Sequence, residues 1–312
     1  MAGRDFEISL DAVIVAVTDD SPRLLTVDGP DGLPALPSGI LEPHDVTLER
    51  GVRRWVQEQT GLDLGYVEQL YTFGDRARGP GVAAAVDDGA RHLSIAYLAL
   101  VREDRPSPGA SWVDVYDLFP WEDHRRGRPE VLTTRIDPVL DAYVAARPEA
   151  DGERRQRDER VRIVFGGTGP EARFDGARPL ERYELLYEVG LVAESGAAGG
   201  DLVPSKTMTL DHRRITATAL TRIRGKLGYR PLVFELLPSR FTLLALQRVV
   251  EALAGVPLHK QNFRRLVEGA GLVERTGEQA RTGGRPAELF RFRREVLGER
   301  PRPGVGTPWV RS

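Results

Sequence analysis

Apolar positions along this 312-residue chain follow two regimes: short dense runs in the first third, helical spacing in the last. The opening run, Phe6 to Val27, is rich in Val, Ile and Leu, as in Ala12-Val13-Ile14-Val15-Ala16-Val17. It reads as strands with a turn at Asp19-Asp20-Ser21-Pro22. Gly29-Pro30-Asp31-Gly32 is a second turn. Leu36-Pro37-Ser38-Gly39 leads into a predicted helix from Val46 to Thr60, which Gly61 stops. Two further strand-like runs follow, Tyr66 to Phe73 and His92 to Val101. The stretch between them, Gly79 to Ala90, is rich in Gly, Ala and Asp and reads as a loop. These elements predict a mixed α+β domain reaching to about residue 130.

The middle of the chain, 131–205, has a weaker pattern. Ile136 to Ala146 and Leu180 to Val189 read as helices. Between them the charged stretch Arg147 to Arg160 reads as a solvated helix or linker. Val161 to Phe165 reads as a short strand. Gly166-Gly167-Thr168-Gly169 meets no phosphate-loop spacing and reads as a turn. Ser195 to Gly200 is a small-residue loop.

From Thr209 a helix is predicted to about Leu227, with Ile215, Ala219, Ile223 and Leu227 on one stripe. Pro231 and Pro238 bracket the apolar run Leu232 to Leu237. The next helix starts at Thr242, a plausible N-cap, and ends at Gly255, burying Leu246, Val249, Val250 and Leu253. A third helix spans about His259 to Glu268. Strand-like pieces at Leu272 to Arg275 and Ala287 to Arg293 close the pattern, with Thr282-Gly283-Gly284-Arg285-Pro286 in the loop between them. Helix, tight turn, helix, then hairpin is the order of a winged helix-turn-helix. If Phe263, Leu266 and Val267 pack inward, then Gln261, Arg264 and Arg265 face outward, flanked by Lys260 and Asn262. Arg, Gln and Asn are the side chains that match guanine and adenine edges in a major groove. Thr282 and Arg285 would sit on the wing, close to phosphate or a minor groove. Along the second wing strand Phe290 and Phe292 face one way and Arg291 and Arg293 the other.

Composition sharpens this picture in two places. Hydrophobic residues make up 41% and charged residues 29%, the balance of a globular protein, and there is no cysteine, which excludes disulfides and thiolate metal sites. No apolar run approaches the roughly 20 residues of a membrane-spanning helix. The first residues carry no apolar stretch, so no signal peptide is expected and a cytoplasmic location is. The net charge of −2 conceals an asymmetry: Lys206 to Arg302 hold 20 Lys and Arg against 9 Asp and Glu, a balance of +11. A basic C-terminal part on an acidic partner is the electrostatic footprint expected of nucleic-acid binding. A lone amphipathic helix with surface arginines would be read as merely solvated. Recognition helix, basic wing and basic third together favour DNA.

The N-terminal half resembles the Nudix family. Its box is matched by Gly39-Ile40-Leu41-Glu42-Pro43-His44-Asp45 and then Arg54-Trp55-Val56-Gln57-Glu58-Gln59-Thr60-Gly61-Leu62. Eight residues separate Asp45 from Arg54, one more than the family's pattern. Helix positions i, i+3 and i+4 share a face, and carboxylates there would hold Mg²⁺ against a substrate diphosphate. Here those positions are Trp55, Glu58 and Gln59, so Mg²⁺ is doubtful, no catalytic or metal residue is assigned, and hydrolysis is expected to be lost or weak. Further runs resemble the Nudix-related transcriptional regulators (NrtR and NadQ-like). They are Leu70 to Asp75, Ser94 to Val101, Asp211-His212-Arg213, Arg224-Gly225-Lys226-Leu227, Phe234 to Pro238, Phe241-Thr242, Lys260 to Arg265 and Gly284 to Ala287.

That resemblance implies an α+β chain: a Nudix-like mixed α/β/α sandwich, then a C-terminal winged helix-turn-helix. It implies a homodimer on a palindromic double-stranded DNA operator near NAD and nucleotide-cofactor metabolism genes, with ADP-ribose or a related nucleotide as effector, no required cofactor and no membrane partner. It places Phe73, Asp75 and Arg76 at the effector pocket, with Glu42, Arg54 and Glu58 of the box as the other candidates. The expected division is 1–130 sensor, 131–205 extension of unknown role, 206–303 winged helix and 304–312 tail. Two rivals stand beside this reading: an active ADP-ribose-type pyrophosphatase with an attached nucleic-acid module, and an RNA-binding adaptor. For the adaptor, stacking aromatics on an open sheet would be needed, whereas Phe290 and Phe292 look committed to packing.

Overall fold

A computed structural model of the chain describes residues 6–74, 91–146, 151–196, 202–281, 286–299 and 303–306. Its N-terminal half is built on one mixed sheet. Strand β1 (Phe6–Thr18) runs through the middle. It pairs antiparallel with β2 (Ser21–Asp28) across the Asp19-Asp20 turn, where both residues adopt positive φ, the geometry of a tight hairpin. Two short strands follow, β3 (Pro34–Ala35) on β2 and β4 (Ser38–Ile40) on β1. After helix α1 (Leu48–Thr60) come β5 (Tyr66–Phe73), β6 (Arg91–Leu100) and β7 (Ala110–Asp114). Among the described residues the order is β3-β2-β1-β6-β5, with β7 added on β2. The β1–β6 pair is parallel and in register from Phe6↔Arg91 to Val15↔Leu100.

Alternation along β1 assigns the two faces. Leu10, Ala12 and Ile14 pack with Val52 and Val56 of α1, while Val13 and Val15 pack on the other side. Thr47 caps α1 by accepting from the Arg50 amide, and Gly61 ends it in the left-handed conformation. The second face is covered by residues well beyond 130. Helix α2 (Asp137–Ala145) follows a π-turn over Leu132–Ile136. With α3 (Asp151–Phe165), α4 (Pro179–Glu188) and α5 (His212–Leu227) it shares the core on that side: α5 lies against the sheet, α4 packs on α5, and α3 and α2 follow in turn. The long α5 touches β1, β5 and α4, and on its far side the next helix. Its stripe Ile215, Ala219, Ile223 and Leu227 is buried as the spacing predicts.

The C-terminal part is a winged helix. A 3₁₀ turn over Leu232–Leu236 leads to α6 (Leu243–Ala254), capped by the Thr242 hydroxyl accepting from the Ala245 amide and ended by left-handed Gly255. Helix α7 (Lys260–Gly269) and the hairpin β8 (Val273–Ala280) and β9 (Ala287–Phe292) complete it. Phe241 adds a two-way backbone bridge to Phe290, at 2.9 and 2.8 Å. Phe292 stacks on Phe234, so both aromatics of β9 pack inward as expected.

Three expectations are corrected. Val161 to Phe165 is the last turn of α3, not a strand. Val161, Val164 and Phe165 are buried there, because a short apolar run has no period of its own to tell helix from strand. The charged residues before it belong to the same helix from Asp151 on. Leu266 does not join Phe263 and Val267 in the core but is 43% exposed, although it lies only one position from Val267. The first wing strand extends to Ala280 rather than stopping at Arg275, with a bulge between Arg275 and Gln279. The Gly79 to Ala90 loop lies outside the described residues.

Candidate functional site

The box helix α1 lies across the β4 segment, and its first contact is steric. A Cβ on Gly39 would stand 2.0 Å from the Trp55 ring, so only glycine lets the indole settle on this strand. The indole Nε1 then donates to the Ile40 carbonyl at 2.9 Å. One turn on, Gln59 makes a two-way pair with Ser38: its Oε1 accepts from the Ser38 amide at 3.0 Å and its Nε2 donates to the Ser38 carbonyl at 2.7 Å. Two of the three positions that would carry carboxylates in the family box therefore serve as clamps onto β4.

The carboxylates that do exist here gather on Arg54. Asp45 accepts from Arg54 Nε at 3.1 Å and Nη2 at 2.9 Å, a bidentate pair. Glu58 and Glu42 approach Arg54 Nη1 at 3.5 and 3.8 Å. The Arg54 hydrogen bond holds the Asp45 carboxyl down at about 2, helped by the Glu42 amide. The guanidinium also lies over the Trp55 ring, 4.5 Å from its centroid. The positive charge among these carboxylates is thus an arginine. The residues present do not fit a divalent cation: Glu58 is the one carboxylate on the helix face, Gln59 and Trp55 are engaged with β4, and Asp45 is engaged with Arg54. Among the described residues no group of three or more His, Asp or Glu side chains is arranged to hold a metal ion.

Glu42, Arg54 and Glu58 are therefore brought together. Phe73 is not with them. It pairs with Ser94, on the face of the sheet opposite α1, and lies under the Arg214 guanidinium at 5.5 Å. Asp75 and Arg76 lie outside the described residues. Near Phe73, buried Asp11 accepts from the Ser94 hydroxyl and lies 3.6 Å from His212 Nε2. His212 Nδ1 accepts from the Leu36 amide at 3.0 Å, which leaves the ring proton on Nε2, toward Asp11.

In the winged helix, Lys260, Gln261, Asn262, Arg264 and Arg265 are all exposed on α7, while Phe263 and Val267 anchor its other side. No side chain of these five forms an ion pair with another described residue. The turn before α7 is held from α6: Glu251 accepts from the Leu258 amide at 2.7 Å and from Gln247 at 2.9 Å, and Gln247 donates on to the Leu258 carbonyl. On the wing, Arg275 pairs with Glu288, Arg291 with Glu274 and Arg293 with Glu299. Arg291 and Arg293 lie opposite the packed Phe290 and Phe292, as predicted, and all three arginines are partnered within the fold. Thr282 and Arg285 lie outside the described residues.

One group of residues escaped the sequence reading. Glu122 is fully buried and accepts from two arginines that are themselves buried, Arg182 of α4, through two nitrogens, and Arg224 of α5. Burial alone would raise the Glu122 carboxyl, but the charges of Arg182 and Arg224 overcome it and leave it lowered. A second buried pair, Arg213 with Glu194, joins α5 to the 3₁₀ turn after α4. The available signal was a charge on the apolar stripe of an amphipathic helix, such as Arg182 beside Tyr183, Leu185 and Leu186.

Comparison with known proteins agrees with this architecture. The NUDIX domain family matches residues 9–139, and the NrtR DNA-binding winged helix domain matches residues 233–292. The ADPR responsive transcriptional repressor NtrR of Acinetobacter baylyi is 38% identical over 85 residues, 27% of this chain. The chain spans about a third (34%) of that relative's length. The crystal structure of Shewanella oneidensis NrtR complexed with a 27mer DNA superposes with a TM-score of 0.57 at 22% identity, covering 93% of this chain and 95% of that one. A MutT/nudix family protein from Enterococcus faecalis gives a TM-score of 0.54 at 16% identity, over 94% and 88%. At those identities the two structures speak to the fold. The chain thus carries a region that matches the NUDIX domain family, followed by one that matches the NrtR DNA-binding winged helix domain.

Proposed function

We propose that this protein is a DNA-binding transcriptional regulator whose Nudix domain senses ADP-ribose or a related nucleotide without hydrolysing it. The observation that carries the proposal is the pairing of an unencumbered cationic α7 with a box helix whose carboxylate positions have become clamps. The similarity to an ADPR-responsive repressor supports the choice of effector and of repression. Lys260, Gln261, Asn262, Arg264 and Arg265, with Thr282 and Arg285 on the wing, are the proposed DNA contacts. Glu42, Arg54 and Glu58, with Phe73, Asp75 and Arg76, are the proposed effector contacts. Phe73 fits that role only if the ligand reaches around the sheet edge. A homodimer on a palindromic operator follows from the same reading. So does a division into sensor (1–130), extension (131–205), winged helix (206–303) and tail (304–312). A ligand that binds the DNA-competent and incompetent arrangements unequally must shift operator affinity by the matching factor.

Fluorescence anisotropy on DNA from upstream of the protein's own gene and of NAD biosynthesis genes, with and without ADP-ribose at fixed salt, tests this reading. Selective binding that ADP-ribose alters is the expected result. Replacing Arg264 and Arg265 by Ala abolishes operator binding and leaves ADP-ribose affinity unchanged. Mg²⁺-dependent release of AMP from ADP-ribose that Glu58→Gln removes would instead establish the pyrophosphatase.

A further inference from the structure

The end of α6 is held by groups from outside the winged helix. The last carbonyls of any helix lack partners within it. Here the Tyr116 hydroxyl donates to the Ala252 carbonyl at 2.6 Å, and Arg224 Nε donates to the Leu253 carbonyl at 2.9 Å. The His124 amide donates to the Gly255 carbonyl at 2.7 Å. Tyr116, Glu122 and His124 lie inside the span matched by the NUDIX domain. Arg224 comes from α5, and buried Glu122 ties it to Arg182 of α4. Arg224 Nη2 also donates to the Glu122 carbonyl at 3.2 Å. Gly255 opens the turn that leads, over residues 255–259, into α7.

Three parts of the chain therefore meet at one buried carboxylate and grip the helix end from which the DNA-facing helix departs. We infer that Tyr116, Glu122, Arg182 and Arg224 are positioning residues that set α7 relative to the N-terminal domain. We further infer that they carry the effect of ligand occupancy to the DNA-binding face. The first half stands on geometry, and the second rests on the function proposed above. A carboxylate held by two guanidiniums in a dry site has few alternative arrangements. A shift of the segment around Tyr116 and Glu122 must therefore move the α6 terminus with it, or break hydrogen bonds that water cannot replace.

The test uses Tyr116→Phe in the full chain, which removes the hydroxyl contact to Ala252 and keeps the ring. Tyr143→Phe, which loses an exposed hydroxyl contact to Glu188 at the C-terminal end of α4 and touches none of these residues, is the control. Amide hydrogen exchange by mass spectrometry should quicken about fivefold or more over 252–262 in Tyr116→Phe, with α1 unchanged. The ratio of operator Kd with and without ADP-ribose should fall by about threefold toward one, while ADP-ribose affinity stays at the wild-type value. In Tyr143→Phe neither quantity moves. Uniform loosening of the whole chain, or an unchanged exchange pattern over 252–262, overturns the positioning role. Local loosening with an unchanged ratio overturns the transmission role. If the wild-type operator affinity ignores ADP-ribose, the functional reading fails, and the exchange pattern alone decides whether these residues position α7.

Discussion

At the scale of single residues, two positions of the family motif, Trp55 and Gln59, are engaged in holding the β4 segment. Gln59 shows it most directly. Its amide both donates to and accepts from Ser38, which an ionised carboxylate cannot do. Gln59→Glu, which restores the family's residue, therefore destabilises the protein by about 1–3 kcal/mol at neutral pH, since the Ser38 carbonyl loses its donor and faces a negative charge. The cost shrinks below about pH 4, where a protonated Glu donates again. Urea denaturation at pH 7 and pH 4 measures both, and a Gln59→Glu variant as stable as wild type at pH 7 contradicts the clamp. The sequence showed that the carboxylates were missing at positions 55 and 59 but not what replaced them. Those partners, Ser38 and Ile40, are backbone groups of a strand that side-chain patterns do not announce. Asp45, quoted within the motif, proved to be the bidentate partner of Arg54, a pairing nine positions apart that crosses a loop.

Among the elements, the helix ends were the most legible features. Gly61 and Gly255 were both read as stops, and both adopt left-handed conformations, at φ 71° and 72°. They differ in surroundings. A Cβ at Gly61 would meet the Ser107 hydroxyl at 2.6 Å, a side chain that can rotate away. At Gly255 it would meet the Glu122 carbonyl at 2.3 Å and Arg224 Nη2 at 2.6 Å, neither free to move. Gly61→Ala should thus cost about 1–2 kcal/mol, the ordinary left-handed penalty of a residue with a Cβ. Gly255→Ala should cost at least about 2 kcal/mol more, in the range of overpacking a filled core. Denaturant midpoints compare the two, and equal losses would argue against a rigid cluster at Gly255. What sequence could not distinguish was the structure of short apolar runs: Val161 to Phe165 carried no period, and the Asp- and Arg-rich turns before it hid a continuous helix. Leu266 was misplaced for a related reason, since α7 is anchored by only two side chains, Phe263 and Val267.

For the molecule as a whole, the charge asymmetry that pointed to DNA divides into two populations. Arg213, Arg214, Arg222, Arg224 and Lys226 of α5 face acidic groups of the preceding chain: Glu194, Glu184, Glu68 and Glu122. The basic C-terminal part and the acidic N-terminal part are in this measure halves of one internal pairing, which no composition count could separate from a binding face. Lys260, Arg264 and Arg265 on α7 belong to the second population, exposed and unpaired among the described residues. The salt dependence of operator binding distinguishes them, because each phosphate contact contributes about 0.9 to the slope of log K against log salt. Lys260→Ala should flatten that slope by about 1 for each protomer that contacts DNA, at every operator sequence alike. Arg222→Ala, which releases one of the two cations on Glu68, should leave the slope at its wild-type value. Anisotropy titrations across a series of salt concentrations give both slopes. A change in Arg222→Ala equal to that in Lys260→Ala would mean that α5 itself reaches the DNA backbone, and that its acidic partners let go on binding.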